Sequence, residues 1–587
     1  MPRPAASRAA LAALLLLSSP FPSLALAPGT PLRLAPCAAA RPGALLEARA
    51  GDGTLRSADG ALCATYVGPS PAQLQLQPCA SEAGAEAQRW AFDAAASAVE
   101  GTVNGSCLAL NTQGDTSVPT RPVSTWACGD LEWNGLFHLD GASHLVANCS
   151  TPACSGPDYC IAGDDALGRV LSLSTVVRYW TVETTRNSHI LGNESAIHTV
   201  AACTAFRAAV SAGWPGASIS WAFSFDALTA QDGEYPAIRA LVAGYVASLG
   251  DEMTFNPGGY FAPMYNNETQ TNLDIHDALV IIGKIVGGGY RPKAIIAGYL
   301  GAQTLKYLAE VEDIHVAQAT IFSQFNIDFG DGDGGSPYPY YPSEQHYLKP
   351  AQAASDFIDC VSLDGWTVDF LAARRDGFAE GFNSRMGVGP IETIRDVGPV
   401  LGFAEQMHAT SQHFDAGFAL NGVAFVTSIW EISLMPVINA SYLTAWLAAV
   451  RAEWPSATMI THGEFGLRWR TEHPTNDYNL SFVEIGSGVA GSDADKEISF
   501  FANRAFRLVL LRNLTDVGGV GLAIDFTRYD LPASEPTDVP DRSWNLMNVL
   551  NMKQSRSGGV DAPRRLGELS ADDRAIISAW LPGLPID

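Results

Sequence analysis

The sequence has little positive charge. Lys and Arg together number 36 against 61 Asp and Glu, which gives a formal net charge of −25 and an isoelectric point near 4.7. Nucleic acids and anionic membranes are bound mainly through basic surfaces, so we expect neither as a partner. Charged residues make up 17% of the chain and hydrophobic residues 47%, a balance that excludes intrinsic disorder and predicts a well-filled core.

Long apolar runs are also absent. Residues 1–27 are typical of a secretory signal peptide, with Arg3 and Arg8, a short apolar run at Ala9–Leu17 and cleavage expected after Ala25. That run has about half the ~20 residues that a membrane-spanning helix needs. We therefore expect a secreted, extracellular protein with no membrane span.

Cysteine is scarce over most of the chain. Eight of the ten cysteines lie between Cys37 and Cys160, and only Cys203 and Cys360 follow. This distribution predicts a small disulfide-rich module joined to a large domain that needs few disulfides. Seven Asn-x-Ser/Thr sequons predict glycan acceptor sites on an exported protein if the host glycosylates: Asn104, Asn148, Asn193, Asn267, Asn439, Asn479 and Asn513.

The N-terminal part repeats itself about every 45 residues, as a comparison of its cysteines and aromatic segments indicates. Each repeat contains short strand-like runs separated by Gly, Asn, Asp and Pro, which predicts a threefold all-β arrangement. Trp90 and Trp180 close two of the repeats and are expected to be core residues more than sugar contacts.

Gly60-Ala61-Leu62-Cys63 with Gln88-Arg89-Trp90, and the later Gly105-Ser106-Cys107-Leu108, resemble the ricin B-type β-trefoil lectin over about residues 29–183. The resemblance implies a trefoil at 28–183, with Cys63 paired to Cys79 and Cys107 to Cys128. It leaves the partners of the remaining cysteines open. Sugar-binding repeats of that family have an Asp two residues after the first cysteine, where this chain has Thr65 and Ala109.

From about Asn187 the pattern changes to amphipathic helical segments that alternate with short apolar strands. Apolar strands in this region end repeatedly in Asp, Glu, Asn, Gln or His, which is typical of a (β/α) barrel with its active site at the strand ends. Residues 187–587 are therefore predicted to form a catalytic (β/α) barrel. Eight strands are expected, at 218–225, 253–255, 294–297, 316–322, 357–363, 423–430, 457–461 and 520–524.

Carboxylates next to aromatic residues suggest glycoside hydrolysis, which needs one protonated and one ionised acid beside the same bond. We predict Glu431 as one catalytic carboxylate and either Asp226 or Glu464 as the other. Any of the three could instead form a structural ion pair. The residues expected to bind substrate lie near the strand ends or in aromatic loops: Trp221, Tyr260, Tyr265, Gln324, Asp364, Trp430 and His462.

One acidic loop raises the question of a metal. Asp328, Asp331 and Asp333 alternate with glycine in a spacing that could hold Ca²⁺ through oxygen ligands. A flexible acidic turn is the alternative. No other cofactor is expected.

Tyr290-Arg291-Pro292-Lys293 and Gly298-Tyr299-Leu300 resemble a segment of the glycoside hydrolase/deacetylase barrel superfamily, with Asp226 at its first acidic motif. Residues 187–385 are also similar to an uncharacterised family of bacterial secreted proteins. The deacetylases bind a metal through one Asp and two His of a His-x-x-x-His segment, which this sequence lacks.

The sequence therefore predicts a secreted glycoside hydrolase that acts on polysaccharide or glycoprotein glycans, with a lectin-like trefoil for targeting. A non-catalytic glycan-binding surface protein is the first alternative, and a metal-dependent carbohydrate deacetylase is the second.

Overall fold

The chain divides into two compact units, residues 16–166 and residues 167–587, in this computed structural model. In the N-terminal unit the structure describes the backbone of twelve strands. In the large unit it describes residues 167–586 except 187, 321–335, 375–386, 437, 490–491, 517–518, 537–545, 547–548 and 551–562. No helix of this described part is long and apolar enough to cross a membrane.

Every described element of the N-terminal unit is a β-strand, as predicted. Its strands form antiparallel hairpins in one four-stranded and one eight-stranded sheet. The strands are β1 (Leu32–Pro36), β2 (Leu46–Arg49), β3 (Thr54–Ser57), β4 (Leu62–Tyr66), β5 (Ala72–Pro78), β6 (Trp90–Asp93), β7 (Ala98–Gly101), β8 (Ser106–Leu110), β9 (Val123–Ala127), β10 (Phe137–Leu139), β11 (Leu145–Ala147) and β12 (Tyr159–Gly163). Cys79 and Cys128 lie outside the described residues, so the two implied disulfides remain predictions.

The large unit begins with parallel β-structure. The strands of its first half are β13 (Gly168–Val177), β14 (Trp180–Thr185), β15 (Ser188–Asn193), β16 (Ser220–Phe223), β17 (Glu252–Phe255), β18 (Ile295–Ile296), β19 (Val316–Thr320), β20 (Pro342–Ser343), β21 (His346–Pro350) and β22 (Val361–Asp364). Those of the second half are β23 (Val423–Ile429), β24 (Thr458–Met459), β25 (Asn479–Ile485), β26 (Lys496–Asn503), β27 (Phe506–Asn513) and β28 (Leu522–Arg528).

Helices connect most of these strands. They are α1 (Val200–Gly213), α2 (Phe225–Thr229), α3 (Tyr235–Leu249), α4 (Ala262–Tyr265), α5 (Glu268–Val286), α6 (Ala302–Glu310), α7 (Phe370–Arg374), α8 (Pro390–Ser411), α9 (Phe418–Asn421), α10 (Ala440–Glu453), α11 (His462–Glu472) and α12 (Ala571–Trp580). The alternation of strand and helix requires parallel pairing, because the chain returns to the same end of the sheet after each helix.

A closed barrel, which we expected, is not confirmed. Five parallel strands form one sheet in the order β17-β16-β13-β23, with β24 also paired to β13, and β18-β19-β22 form a second sheet. Among the described residues no strand pair joins the two sheets. Single hydrogen bonds bridge them instead: the Asn256 amide donates to the Ile296 carbonyl, Thr254 donates to Ala294, and the Thr367 N–H donates to the Thr427 carbonyl of β23.

Two sequence-based boundaries differ from the structure. The large unit starts at Leu167, earlier than the residue 187 that we expected, because β13 pairs with β16 and β23 of the large unit. Trp180, assigned above to the third trefoil repeat, accordingly lies in β14. The predicted strand at 520–524 overlaps the start of β28, which belongs to an antiparallel sheet, β25-β26-β27-β28, and is not a barrel strand.

Helix α11 packs against both parallel sheets. The Phe465 ring stacks on Phe425 of β23 with centroids 4.0 Å apart, while Gly466 faces Val316 of β19. A Cβ atom added at Gly466 would lie 2.3 Å from the Val316 Cγ1 atom. Glycine at this position therefore lets the helix approach the sheet closely.

We predict that Gly466→Ala destabilises the protein by about 1–3 kcal/mol, because the new methyl group overpacks the interface. Gly244→Ala is the matched control, since Gly244 lies within α3 and a Cβ atom added there would meet no neighbour within 4 Å. The control should be stabilised by roughly 0.5–1 kcal/mol through helix propensity alone. Chemical denaturation measures both, and equal effects of the two variants would contradict this packing.

Three carboxyl groups meet in the core between α8 and β25. Asp369, Glu405 and Glu484 are each at most 1% exposed. Burial, together with repulsion from Asp369, raises the pKa of Glu405 to about 9 and also raises the pKa of Glu484. A buried carboxyl group in this position keeps its proton at neutral pH.

These pKa values predict that stability falls with rising pH. Between the ordinary pKa of 4.5 and about 9, Glu405 is protonated in the folded state and ionised in the unfolded state. The unfolded state therefore binds fewer protons, and the free energy of unfolding decreases by up to roughly 1.4 kcal/mol per pH unit. Glu405→Gln should make this dependence shallower in urea titrations from pH 5 to 9; an unchanged slope would contradict the assignment.

Candidate active site

Arg178 follows β13 directly and lies at the C-terminal strand ends of the first sheet. Its Nε atom lies 2.7 Å from Oε2 of Glu194, which follows β15, and its Nη2 atom lies 2.9 Å from Oε2 of Glu431, which follows β23. The three side chains are between 11% and 18% exposed. One guanidinium thus bridges two carboxylates in a largely dry position.

We call Arg178, Glu194 and Glu431, together with His198 beside Glu194, the Arg178 network. The charges of these side chains depend on one another. Burial alone would lower the pKa of Arg178, but Glu431 and Glu194 raise it above its usual value. Burial alone would raise the pKa of Glu194, but His198 and Arg178 lower it to about 2. His198, whose Nε2 lies 3.2 Å from Glu194, is itself buried, and burial lowers its pKa. Arg178 therefore supplies the positive charge of the network at neutral pH.

A second pair of carboxyl groups lies at the end of β16. The Asp226 backbone N–H, in the first turn of α2, donates to Oε1 of Glu183 over 2.8 Å, and the Trp180 indole donates to Oδ2 of Asp226 over 2.9 Å. Burial raises the pKa of Glu183 to about 7 and also raises the pKa of Asp226. Neighbouring acids with raised pKa values are a common basis of proton transfer.

The start of the β14–β15 hairpin holds the Arg178 network next to the Glu183–Asp226 pair. Tyr179 lies between Arg178 and Trp180, and its backbone N–H donates to the Ser224 hydroxyl over 3.3 Å. Ser224 caps α2, whose second residue is Asp226. The Arg178 network and the Asp226 pair therefore occupy one edge of the first sheet.

The loop after β17 closes around this edge in a strained conformation. Gly258, Gly259 and Tyr260 have φ angles of 55°, 59° and 80°. A Cβ at Gly259 would lie 2.8 Å from Val182 of β14, so glycine is required there for the close approach. Tyr260 is 4% exposed and interacts electrostatically with Arg178. Left-handed backbone at a non-glycine residue is uncommon and clusters at functional sites.

An aromatic pair borders Asp226. The Trp180 ring lies parallel to the His189 ring, with centroids 3.5 Å apart and planes inclined by 4°. Trp180 is half-buried, and His189 lies in β15, whose residues are all exposed. The pair therefore presents flat aromatic surface next to the Asp226 carboxyl group.

Of the residues predicted from sequence, the structure brings Asp226, Glu431 and Tyr260 to this edge. It does not bring Glu464 there. Glu464 lies in the first turn of α11, and it forms ion pairs with Lys293, which precedes β18, and with Arg468. It therefore sits near the strand starts, at the opposite end of the sheets from Asp226.

Two predicted substrate-binding tryptophans face the helices. The Trp221 indole donates to Asp251 over 2.9 Å and the ring packs against Phe206 of α1, while Trp430 stacks on Trp446 of α10. Both rings are at most 2% exposed. They are core residues, since alternate residues of a strand point to opposite sides of its sheet.

The other predicted binding residues have different positions. His462 is fully buried, its Nε2 lies 2.8 Å from the Thr427 hydroxyl, and burial lowers its pKa to about 3. Asp364 is the last residue of β22 and is 2% exposed, and Tyr265 ends α4 and packs on the core. Gln324 and the possible calcium ligands Asp328, Asp331 and Asp333 lie outside the described residues.

Sequence reasoning missed four members of the site: Arg178, Glu183, Glu194 and His198. The apolar run Val170–Val177 followed by Arg178 has the same form as the other strand ends and could have identified β13. The expectation that the trefoil extends to residue 183 concealed this signal.

The described residues do not fit a deacetylase metal site. No group of three or more His, Cys, Asp or Glu side chains in this part of the chain is arranged to hold a metal ion. His198 binds Glu194 and His462 binds Thr427, so neither imidazole is grouped with two further ligands. Cys203 and Cys360 are buried free thiols, and burial raises the pKa of Cys203 to about 12.

Family models match nearly the whole of the large unit. Residues 164–502 match DUF3863, described as a domain of unknown function with a solved structure, and this match spans more than half of the chain. The chain belongs to the DUF3863 family. Residues 507–584 match DUF3864, which has the same description, and residues 17–137 match the ricin-type β-trefoil lectin domain. The start of the DUF3863 match supports the domain boundary near residue 167.

Solved structures extend this result. The DUF3863 chain is 39% identical to a Parabacteroides distasonis protein described provisionally as a glycoside hydrolase/deacetylase, with a TM-score of 0.66 over 71% of this chain and 98% of that one. Lower similarity is found to Puue allantoinase (13% identity, TM-score 0.34, 52% and 91% coverage) and to a provisionally assigned polysaccharide deacetylase from Mycobacterium smegmatis (12%, 0.33, 52% and 92%). None of the curated proteins matches the chain.

We predict that Arg178→Met destabilises the DUF3863 domain by about 3–5 kcal/mol, because Glu194 and Glu431 then lose their shared cationic partner in a largely buried position. Arg178→Lys should recover part of this loss, since it restores the charge without the planar fork. Thermal and urea unfolding measure both variants. A loss below about 1 kcal/mol for Arg178→Met would show that the network contributes little.

Proposed function

We propose that the protein is a secreted glycoside hydrolase that acts on polysaccharide or glycoprotein glycans, with Asp226 and Glu431 as its catalytic carboxyl groups. The main supporting observation is the contrast between these two acids on one sheet edge. Asp226 has a raised pKa through burial, whereas Glu431 contacts the Arg178 guanidinium. A glycosidase needs one acid that donates a proton and a second carboxyl group beside the same bond, and the different neighbours of these two residues suit that division.

Asp226 suits the role of proton donor to the leaving oxygen. Its raised pKa favours the protonated form, and the Trp180 indole fixes the orientation of the carboxyl group. Glu183 is a positioning residue, because it is buried and accepts the backbone N–H of Asp226. With a pKa of about 7, Glu183 adds little negative charge beside Asp226 below neutral pH.

Glu431 suits the role of ionised base or nucleophile. Arg178 donates to both of its carboxylate oxygens and the Ser433 hydroxyl donates to Oε2, so its orientation is fixed, and the side chain remains 18% exposed. The Trp180–His189 pair offers flat aromatic surface on which the C–H face of a sugar ring can stack. The N-terminal trefoil would hold the glycan near this site and raise its local concentration.

The match to a ricin-type lectin domain and the similarity to the Parabacteroides distasonis protein support the carbohydrate class of substrate. Fold similarity alone supports no particular reaction. The Arg178 network also suits a binding protein, since both of its carboxylates are paired with one cation, so the experiment must separate catalysis from binding.

We predict that Asp226→Asn and Glu431→Gln each lower kcat by roughly 10²–10⁴-fold in assays of reducing-end release from polysaccharides and glycoprotein glycans. Glu310→Gln is the matched control, because this carboxylate is 64% exposed on α6. Equal activity of all three variants would refute the assignment. Retention of glycan without release by wild type would favour the binding protein, and release of acetate would favour a deacetylase.

The pH profile gives an independent test. Trp180→Phe removes the indole donor that lowers the pKa of Asp226, so this pKa should rise. An acid catalyst loses activity as pH rises through its pKa, so the alkaline limb of kcat against pH should shift to higher pH. A shift to lower pH, or no shift, would contradict proton donation by Asp226.

A further inference from the structure

The described asparagines of the large unit divide sharply by exposure. Five of them begin Asn-x-Ser/Thr sequons, and all five are exposed: Asn193, Asn267, Asn439, Asn479 and Asn513. Six begin no sequon, and all six are buried or half-buried: Asn256, Asn266, Asn272, Asn421, Asn476 and Asn503. If sequons arose by chance in this chain, some would be expected to fall on the buried asparagines.

The exposed amides are also held in a way that suits modification. The Oδ1 atom of Asn267 accepts the Gln270 N–H and caps α5, and the Oδ1 atom of Asn439 accepts the Ser441 N–H at the start of α10. Oδ1 of Asn193 accepts the Ser195 N–H in the same manner. In each case the oxygen serves the fold. The Asn193 side chain also hydrogen-bonds Tyr179, and an amide that keeps one N–H can keep such a bond.

The Asn479 amide also has a hydrogen-bond partner at its nitrogen. Its Nδ2 donates to the Trp580 carbonyl over 3.2 Å. An N-linked amide keeps one N–H, so this bond can persist after one hydrogen has been replaced by a sugar. Buried Asn503 differs, since its Nδ2 is enclosed while its Oδ1 accepts the N–H groups of Ala505 and Phe506.

We propose that Asn193, Asn267, Asn439, Asn479 and Asn513 are N-glycosylation sites of this protein. The donor is an oligosaccharide linked to a lipid diphosphate. The amide nitrogen attacks the anomeric carbon, the C–N bond forms as the C–O bond to the diphosphate breaks, and the amide loses one proton. No redox change occurs, and the lipid diphosphate is the leaving group.

The proposed sites also imply the cellular compartment in which the chain is modified. Transfer to nascent chains takes place in a secretory compartment, so the sites place this protein on that route, in agreement with the signal-like residues 1–27. This conclusion does not depend on the proposed hydrolase activity, because none of the five asparagines belongs to the catalytic pair.

The test maps glycans on the full chain isolated from the cells that naturally make it. Release with peptide N-glycosidase in heavy-oxygen water converts each modified asparagine to labelled aspartate, which peptide mass spectrometry locates. We expect label at the five exposed sequons. Absence of label from all five would overturn the proposal.

Variants produced in a host that N-glycosylates secreted proteins provide matched controls. Thr269→Ala should abolish label at Asn267 and leave the other sites unchanged, whereas Thr269→Ser should retain it; Asn267 still caps α5 in both. Ala505→Ser creates a sequon at buried Asn503, and secreted folded protein should lack label there. Full labelling of Asn503 in folded protein would show that burial does not govern these sites.

Discussion

Strand β13 holds the first sheet together through hydrogen bonds on both of its edges. It pairs with β23 over Gly168–Ser174 on one edge, and with β24 and then β16 on the other. Eight of its ten residues are buried, so each unpaired backbone group there would carry a large desolvation cost. The pairing fixes where β13 ends and thereby fixes the position of Arg178 relative to Glu431 and Asp226.

The site at this strand end is organised by one positive charge. Arg178 meets two carboxylates in a position with little water, so removing Arg178 leaves both without their shared cation, whereas removing one carboxylate leaves a single ion pair. Asp226 lies nearby and accepts the neutral indole of Trp180. His198 and Arg178 lower the pKa of Glu194 despite its burial, whereas burial raises the pKa of Asp226, so these two acids on one edge differ in proton affinity because their neighbours differ.

Seven of the eight predicted strands correspond to parallel strands, because an apolar run that ends in a polar residue is a strong local signal. The domain boundary was less predictable. The run that forms β13 follows the repeats so closely that the aromatic spacing assigned Trp180 to the trefoil, and only pairing with β23 shows its true partner. Long-range pairing of this kind leaves no mark within a short window of sequence.

The direction of each side chain was equally difficult to predict. Trp221 and Trp430 lie near strand ends like Asp226 and Glu431, but the two tryptophans point to the helices. The segment His462-Gly463-Glu464-Phe465-Gly466 looked catalytic from its composition. In the structure its glycines serve the close contact between α11 and strands β17 and β19, a three-dimensional requirement that composition does not reveal.

Helix α11 fills the space between the two parallel sheets near the strand starts, where Phe465 stacks on Phe425 and Gly466 meets Val316. Since no strand pair of the described residues joins the two sheets, α11 links them mechanically through its own packing contacts. A shift of one sheet relative to the other would have to disturb the packing of this helix, so a change at one sheet is transmitted to the other through α11.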